Sequence, residues 1–200
     1  MLFSVAGMND SFDLAALLES TGALLTGHFR LSSGLHSPNY VQCAKLLEHP
    51  RNAAAIGRAL AAMIAPLKPE KIVAPAMGGV VIGYAVAEAL DLPMIFTERK
   101  DGVMSLRRGF SVTGGERLVV VEDVVTTGKS TRETVEVVES LGGEVIGFAS
   151  ILNRSGRENP FDRPYVTLMA LGLETHPPDA CPHCRRGEAL DAPGSRFTNR

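Results

Sequence analysis

Two adjacent acids followed by a cluster of hydroxyl side chains form the stretch of this chain best suited to chemistry. Glu122 and Asp123 follow a short apolar run, 118–121, and four hydroxyl residues occur within 126–131. A hydroxyl-rich turn ahead of a helix offers free backbone N–H groups and the positive end of a helix dipole, which together bind anions. The acids just upstream are suited to hold sugar hydroxyls or a metal ion. We therefore interpret the stretch as a receptor for a phosphorylated sugar.

Two other interpretations of this stretch explain less. Ordinary helix capping by Thr126 or Thr127 accounts for a hydroxyl group but not for the paired acids. The phosphate loop of nucleotide triphosphatases matches at 128–130, but that motif requires a glycine five residues before Gly128. Asp123 stands at that position, so the loop of those enzymes is excluded.

The elements that must position the acids alternate between strand and helix from residue 71 onward. The continuous apolar run 118–121 is typical of a strand buried on both faces. Similar patterns predict strands at 72–74, 94–96, 145–152 and 166–171, and helices at 80–90 and 132–141. Such alternation indicates an α/β fold with a parallel sheet and right-handed crossovers. Ligands bind beyond the carboxyl ends of such strands, where three loops fall: 75–79, 122–131 and 153–157.

The remaining segments flank or interrupt this core. Ser11 is placed to cap a first helix that Gly22 ends, strands are predicted at 28–31 and 39–42, and a helix starts near Pro50. A polar, basic stretch, 97–109, interrupts the alternation. We predict one domain, made of a small N-terminal hood (about 1–68), an α/β core (69–173) and a tail (174–200).

Composition excludes several functional classes. The 200 residues are 45% hydrophobic and carry a net charge of -2, which argues against a nucleic-acid surface. No apolar run approaches the roughly 20 residues of a membrane span, and 1–10 does not resemble a signal peptide. Three cysteines, an odd number, suit a reducing compartment. We expect a cytoplasmic protein without nucleic-acid or membrane partners.

Residues 120–131 resemble the phosphoribosyl-pyrophosphate motif of the type I phosphoribosyltransferases, since an apolar strand, an acidic pair and a hydroxyl–glycine loop follow in that order. Residues 152–154, Leu-Asn-Arg, and the signature 27–34 with Ser37, Pro38 and Tyr40 are similar to the orotate branch of the family. The resemblance covers most of residues 20–172. It implies a parallel-sheet core with an N-terminal hood.

The resemblance also implies an activity: transfer of the 5-phosphoribosyl group from phosphoribosyl pyrophosphate to orotate, giving orotidine 5′-phosphate and pyrophosphate. It implies Mg²⁺ held mainly by substrate, with help from the acid pair, and a homodimer in which the loop Arg99–Arg108 reaches the neighbouring site. The implied catalytic residues are Glu122, Asp123, Arg99 and Lys100. The implied substrate-binding residues are Thr126, Thr127, Gly128, Lys129, Ser130, Thr131, Arg154, Tyr40, Ser33, Met77, Gly78, Arg107 and Arg108.

The chain departs from the family pattern at three places. Ser32 replaces a lysine common in the first signature, Met77-Gly78 replaces an aromatic–lysine pair, and the basic loop lacks a histidine. Arg107 or Arg108 is expected to supply the missing pyrophosphate contacts. Two alternatives stay open: a purine phosphoribosyltransferase, and a non-catalytic regulator that binds phosphoribosyl pyrophosphate.

The tail contains half of a zinc motif, Cys181-Pro182-His183-Cys184, with His176 nearby. One such pair is weak support for a metal, so we interpret the segment as an ordinary solvated tail. A metal site or a contact to a partner subunit is the alternative. Cys43 is expected in the core, and His28, His36 and His49 are given no proton-transfer role.

Overall fold

The N-terminal hood is a helix followed by a β-hairpin and two further helices. In the computed structural model, which describes residues 13–31 and 33–193, these elements are α1 (Leu14–Ser20), β1 (Leu24–Arg30), β2 (His36–Val41), α2 (Cys43–Leu46) and α3 (Pro50–Ile64). The predicted cap Ser11 lies outside the described residues. Asp13 caps α1 instead, because its carboxylate accepts from the N–H groups of Ala15 and Ala16.

The core within the described residues is a six-stranded sheet in the order β5-β4-β3-β6-β7-β8. Its strands are β3 (Lys71–Pro75), β4 (Met94–Lys100), β5 (Val103–Leu106), β6 (Arg117–Val125), β7 (Glu144–Asn153) and β8 (Tyr165–Ala170). All neighbouring strands are parallel except the antiparallel pair β4–β5. The α/β fold with a mainly parallel sheet is therefore confirmed.

Helices cover both faces of this sheet. The apolar stripe of α3 and the helix α4 (Gly78–Leu90) pack on one face, and α5 (Lys129–Ser140) packs on the other. Val119 and Val121 of β6 belong to the first cluster, whereas Leu118 and Val120 belong to the second. This alternation explains why the strand is apolar at every position. No helix among the described residues has the length and apolar character needed to cross a membrane.

Two strands are longer than the sequence indicated. The basic stretch 97–109 is not an irregular loop, because β4 continues to Lys100 and turns back as β5 at the sheet edge. Strand β6 continues through the acid pair to Val125, since Glu122 pairs with Ser150 and Val124 pairs with Leu152 of β7. The two acids therefore lie in the last residues of β6 that pair with β7, rather than in a loop.

The tail packs against the hood, so the interpretation as a solvated tail is wrong. His36 and His176 exchange backbone hydrogen bonds of 2.9 and 2.8 Å. Asp191 likewise donates to the carbonyl of His28 and accepts from the N–H of Arg30, both at 2.8 Å. A short helix, α6 (Pro182–Arg185), lies between these two anchor points. The described part of the tail is therefore attached to both strands of the β1–β2 hairpin through backbone hydrogen bonds.

Candidate functional site

The three predicted loops meet in one open cleft of about 780 Å³ at the carboxyl edge of the parallel strands. Residues 75–78 follow β3, residues 122–130 span the end of β6 and the next turn, and residues 154–157 follow β7. The β1–β2 hairpin of the hood forms the opposite wall. Of the predicted site residues, the cleft brings together Ser33, Tyr40, Met77, Gly78, Glu122, Asp123, Thr126, Thr127, Ser130 and Arg154.

The acid pair is held close to the loop after β3. A Cβ atom at Gly78 would lie 2.5 Å from a carboxylate oxygen of Asp123, and one at Gly79 would lie 2.9 Å from the carbonyl of Val121. Only glycine therefore fits at these two positions. The N–H of Val124 donates to Oδ1 of Asp123 at 2.8 Å, which fixes the orientation of that carboxylate. Backbone and acids form one compact floor of the cleft.

Both acids resist ionisation in the free protein. Burial raises the pKa of Glu122 well above its usual value, and the charge of Asp123 raises it further. Burial also raises the pKa of Asp123, partly opposed by the hydrogen bond from Val124. A cation or a developing positive charge in the cleft would stabilise the ionised forms. Perturbed carboxylates in a cleft are typical of functional sites.

The turn after β6 leads directly into α5 and faces the cleft with three hydroxyls, those of Thr126, Thr127 and Ser130. Gly128 adopts φ +69° at the cap of α5, a backbone conformation that favours glycine. The first N–H groups of a helix lack intrahelical acceptors and are free to bind an anion. Three predicted contacts do not line the cleft: Gly128, Thr131, which is buried on the inner face of α5, and Lys129, whose ammonium lies 3.9 Å from Glu133.

Arg154 is presented to the cleft by a rigid turn. The side chain of Asn153 donates to the carbonyl of Arg157 at 2.8 Å and accepts from the N–H and hydroxyl of Ser155. The Arg154 N–H donates to the carbonyl of Val125, which ties the ends of β6 and β7 together. The Arg154 Nε is buried and has no hydrogen-bond partner among the described residues. Burial also lowers the pKa of its guanidinium, so the group is poised for an anion.

Two predicted contacts come from other walls of the cleft. Tyr40 on β2 faces Arg154, and burial raises the pKa of its phenol, partly opposed by the Arg154 charge. Met77 is 85% exposed at the rim and follows a cis peptide bond from Ala76.

The predicted basic residues of the β4–β5 hairpin lie outside the cleft of their own chain. Arg99 forms an ion pair with Glu133 on α5. Arg107 and Arg108 contact the carboxylate of Glu98 at 3.2 and 2.9 Å. Lys100 is exposed on the same hairpin and does not line the cleft. Within a single subunit, these four residues therefore do not reach the cleft where they are predicted to act in catalysis and pyrophosphate binding.

Sequence reasoning missed three further arginines that line the cleft: Arg30, Arg132 and Arg157. Arg132 lies in the first turn of α5 and donates to the carbonyl of Thr127, so its position after the hydroxyl loop was a usable signal. Residues 172–175 also line the cleft at Gly172, Leu173 and Thr175, which no local pattern indicates. With Arg154, the arginines surround the two acids with positive charge suited to a polyanion.

Known proteins match both the sequence and this geometry. The family model for the phosphoribosyl transferase domain matches residues 42–171. Orotate phosphoribosyltransferase of Thermotoga maritima is 47% identical over 180 residues, covering 90% of this chain and 96% of that protein.

Two solved structures are similar in fold. Orotate phosphoribosyltransferase from Aeropyrum pernix has a TM-score of 0.68 at 25% identity, covering 80% of this chain and 94% of that chain. The Mycobacterium tuberculosis H37Rv enzyme in complex with inorganic phosphate has a TM-score of 0.63 at 26% identity, covering 78% and 95%. The chain therefore belongs to the phosphoribosyl transferase family, within its orotate phosphoribosyltransferase group.

Proposed function

We infer that the chain transfers the 5-phosphoribosyl group from phosphoribosyl pyrophosphate to orotate, releasing pyrophosphate and forming orotidine 5′-phosphate. The observation that carries this inference is the buried Nε of Arg154, which has no hydrogen-bond partner in the described part of the chain and lies in the same cleft as the acid pair. A guanidinium there fits the orotate carboxylate, a group that uracil, adenine and hypoxanthine lack. The orotate group of relatives also favours orotate over a purine base.

The phosphorylated sugar fits the turn after β6. Its 5′-phosphate would accept from the free N–H groups at the start of α5 and from the hydroxyls of Thr126, Thr127 and Ser130. Glu122 and Asp123 would accept from the two ribose hydroxyls, since both carboxylates line the adjoining floor of the cleft. Arg132 and Arg157 line the same cleft, and their positive charges would offset those of the phosphate groups.

Bond breaking places positive charge on the ribose ring and negative charge on the departing pyrophosphate. The carboxylates of Glu122 and Asp123 stabilise the first charge, and their raised pKa values mean that they ionise most readily when positive charge is near. Deprotonated orotate supplies its own nucleophilic nitrogen, so the chain need not supply one. The oxygen-rich floor fits Mg²⁺, which would neutralise part of the pyrophosphate charge when bound.

Replacing Arg154 by alanine tests the orotate assignment. The Michaelis constant for orotate should rise about 30-fold or more, because losing a charge-assisted contact costs about 2–5 kcal/mol. The constant for phosphoribosyl pyrophosphate should change little. Steady-state kinetics with each substrate varied in turn measures both, and Arg58→Ala, an exposed arginine on α3, is the control. Equal losses for both substrates would contradict the assignment.

A homodimer would bring the basic hairpin to a cleft. In one subunit Arg99, Lys100, Arg107 and Arg108 lie outside it, so a role in catalysis requires a neighbour. An exposed apolar face on α4 supports such pairing, since Val81 and Tyr84 lie on one side of the helix, next to Met77, and Tyr84 is 69% exposed. We expect Arg99 and Lys100 to act on the neighbouring subunit's pyrophosphate.

Subunit complementation tests this arrangement. An Asp123→Asn protein and an Arg99→Ala, Lys100→Ala protein are each expected to be nearly inactive alone. After exchange, a mixed dimer holds one site with both lesions and one with neither. Random exchange makes half of the dimers mixed, so activity should reach about one quarter of wild type if the sites are independent. No recovery despite verified exchange would mean that the hairpin serves its own subunit. A cytoplasmic location stays a prediction from composition.

A further inference from the structure

Two histidines of the hood and two cysteines of the tail converge on one point outside the cleft. His28 and His36 lie on β1 and β2, and Cys181 and Cys184 flank the start of α6. One side-chain atom of each lies within 4.8 Å of all the others. The pairs belong to segments about 150 residues apart in sequence, so no local turn explains their meeting.

The distances between these atoms match the edges of a tetrahedral metal site. His28 Nε2 lies 3.1 Å from His36 Nδ1 and 3.5 and 3.6 Å from the sulfurs of Cys181 and Cys184. His36 Nδ1 lies 3.3 Å from the Cys184 sulfur. Zinc bound at its usual distances would give about 3.3 Å between two nitrogens and about 3.5 Å between nitrogen and sulfur.

Hydrogen bonds alone do not account for this convergence. The other ring nitrogen of His28, Nδ1, contacts the carbonyl of Glu188 at 3.0 Å. A carbonyl only accepts, so Nδ1 carries the proton and a neutral His28 directs the lone pair of Nε2 at its three neighbours. One lone pair cannot satisfy three partners. A cation at the centre would use all of these electron pairs at once, and the Glu188 contact would orient the ring as in known metal sites.

The neighbouring histidines, His176 and His183, lie outside the cluster. His183 stacks on His28 with ring centroids 5.4 Å apart, but its Nδ1 contacts the carboxylate of Glu188 at 2.6 Å. His176 Nε2 lies 3.1 Å from a carboxylate oxygen of Glu174 without a hydrogen bond among the described residues, and His176 does not belong to the cluster of four. Four protein donors therefore complete the site, with no open position for a substrate, which is the mark of a structural metal rather than a catalytic one.

Apart from backbone hydrogen bonds at His176 and Asp191, the described part of the tail makes few contacts that would hold it. Between residues 172 and 193, Cys181 is the one buried side chain that the structure describes, so apolar burial contributes little to docking. Yet residues 172–175 line the cleft, and the turn between His28 and His36 contributes Leu31, Ser33 and Leu35 to the lining of the same cleft. A metal joining these two segments would fix one side of the cleft.

We propose that His28, His36, Cys181 and Cys184 bind one structural zinc ion that fastens the C-terminal segment to the β1–β2 hairpin. Two thiolates and two imidazoles in a tetrahedral arrangement suit zinc, and its binding displaces the thiol protons.

Metal analysis of the purified full-length protein is the first test. We expect one zinc per chain, and less than a tenth of that in the Cys181→Ser, Cys184→Ser variant. His183→Gln and Cys43→Ser are matched controls that should keep the full zinc content, because neither residue belongs to the cluster. A folded wild type without stoichiometric zinc, iron in place of zinc, or a Cys181–Cys184 disulfide would each overturn the proposal. Zinc lost from His183→Gln would overturn the ligand assignment.

Cobalt substitution provides a readout that does not depend on variants folding. The wild type loaded with Co²⁺ should show the intense visible bands of a tetrahedral site and a thiolate charge-transfer band, at one cobalt per chain. A thiol-blocking reagent should release the metal in proportion to the thiols modified. Trypsin should then cleave at Arg185 and Arg186 about tenfold faster, since the tail is no longer held. Octahedral cobalt spectra, or cleavage unchanged by metal release, would contradict the proposal.

Discussion

The cleft at the strand ends and the histidine–cysteine cluster are built in opposite ways. The acid pair and the phosphate turn lie within one stretch, 122–131, and the chain needs only one strand and one helix to assemble them. The cluster takes two residues from the hood and two from the tail, so its assembly requires the tail to pack against the hood. A contiguous site can be recognised from the spacing of its residues in the sequence, whereas an assembled site depends on tertiary packing that local spacing does not reveal.

The largest expected effect comes from breaking the contiguous site. Asp123→Asn should lower kcat by about 10²–10³, comparable to the loss of one preorganised group that stabilises charge in the transition state. Folding should survive, because asparagine keeps the shape of aspartate and an oxygen for the N–H of Val124. Turnover and thermal unfolding of the same preparation measure both effects.

The exposed carboxylate of Asp162, outside the cleft, provides the matched control for this variant. Asp162→Asn should keep wild-type turnover. Near-normal turnover of Asp123→Asn would remove that residue from the mechanism and weaken the contrast between the two regions.

The sequence was sufficient to predict those parts of the fold and the site that depend on local residue patterns. The α/β order, the three strand-end loops and the placement of Glu122, Asp123 and Arg154 in one cleft were all predictable, because parallel strands end at the same edge. The β4–β5 hairpin was missed because Arg99 and Lys100 of β4 are polar and their partner strand, β5, lies at the sheet edge, where one side needs no apolar residues.

The cluster was missed for a different reason. Cys181 and Cys184 gave half of a motif, but the partner histidines lie on neighbouring strands of a hairpin about 150 residues earlier. Which strands the tail covers depends on backbone pairing such as that of His36 with His176. No spacing rule within the tail encodes that pairing.

A smaller effect on turnover is expected from breaking the assembled cluster. The Cys181→Ser, Cys184→Ser variant should keep kcat within about twofold, because none of its atoms touches the reacting groups. The Michaelis constants should rise roughly threefold, since Gly172, Leu173 and Thr175 would lose their fixed place in the cleft wall. Steady-state kinetics beside the zinc measurement checks this. A hundredfold fall in kcat would mean that the cluster contributes directly to catalysis. It would contradict the proposed difference between a catalytic cleft and a structural cluster.

The smallest effect concerns stability and pH. Glu122 has a folded-state pKa raised above its usual 4.5, so its carboxylate costs stability that grows as pH rises above that value. Glu122→Gln removes this cost and should stabilise the substrate-free protein by about 1 kcal/mol at neutral pH, and by less under acid conditions. Thermal unfolding across that range measures the difference. Glu136→Gln, at an exposed position on α5, should give no such trend, and a Glu122→Gln protein less stable than wild type would contradict the reasoning.

The most direct test of the central claim is the choice of base. Wild-type protein, phosphoribosyl pyrophosphate and Mg²⁺ are incubated in turn with orotate, uracil, hypoxanthine and adenine, and pyrophosphate release and the nucleotide product are measured. The cleft predicts rapid formation of orotidine 5′-phosphate and at least about a hundredfold lower kcat/KM with the other bases, because only orotate offers a carboxylate to Arg154. Preferred turnover of a purine, or binding of phosphoribosyl pyrophosphate without turnover of any base, would contradict the account.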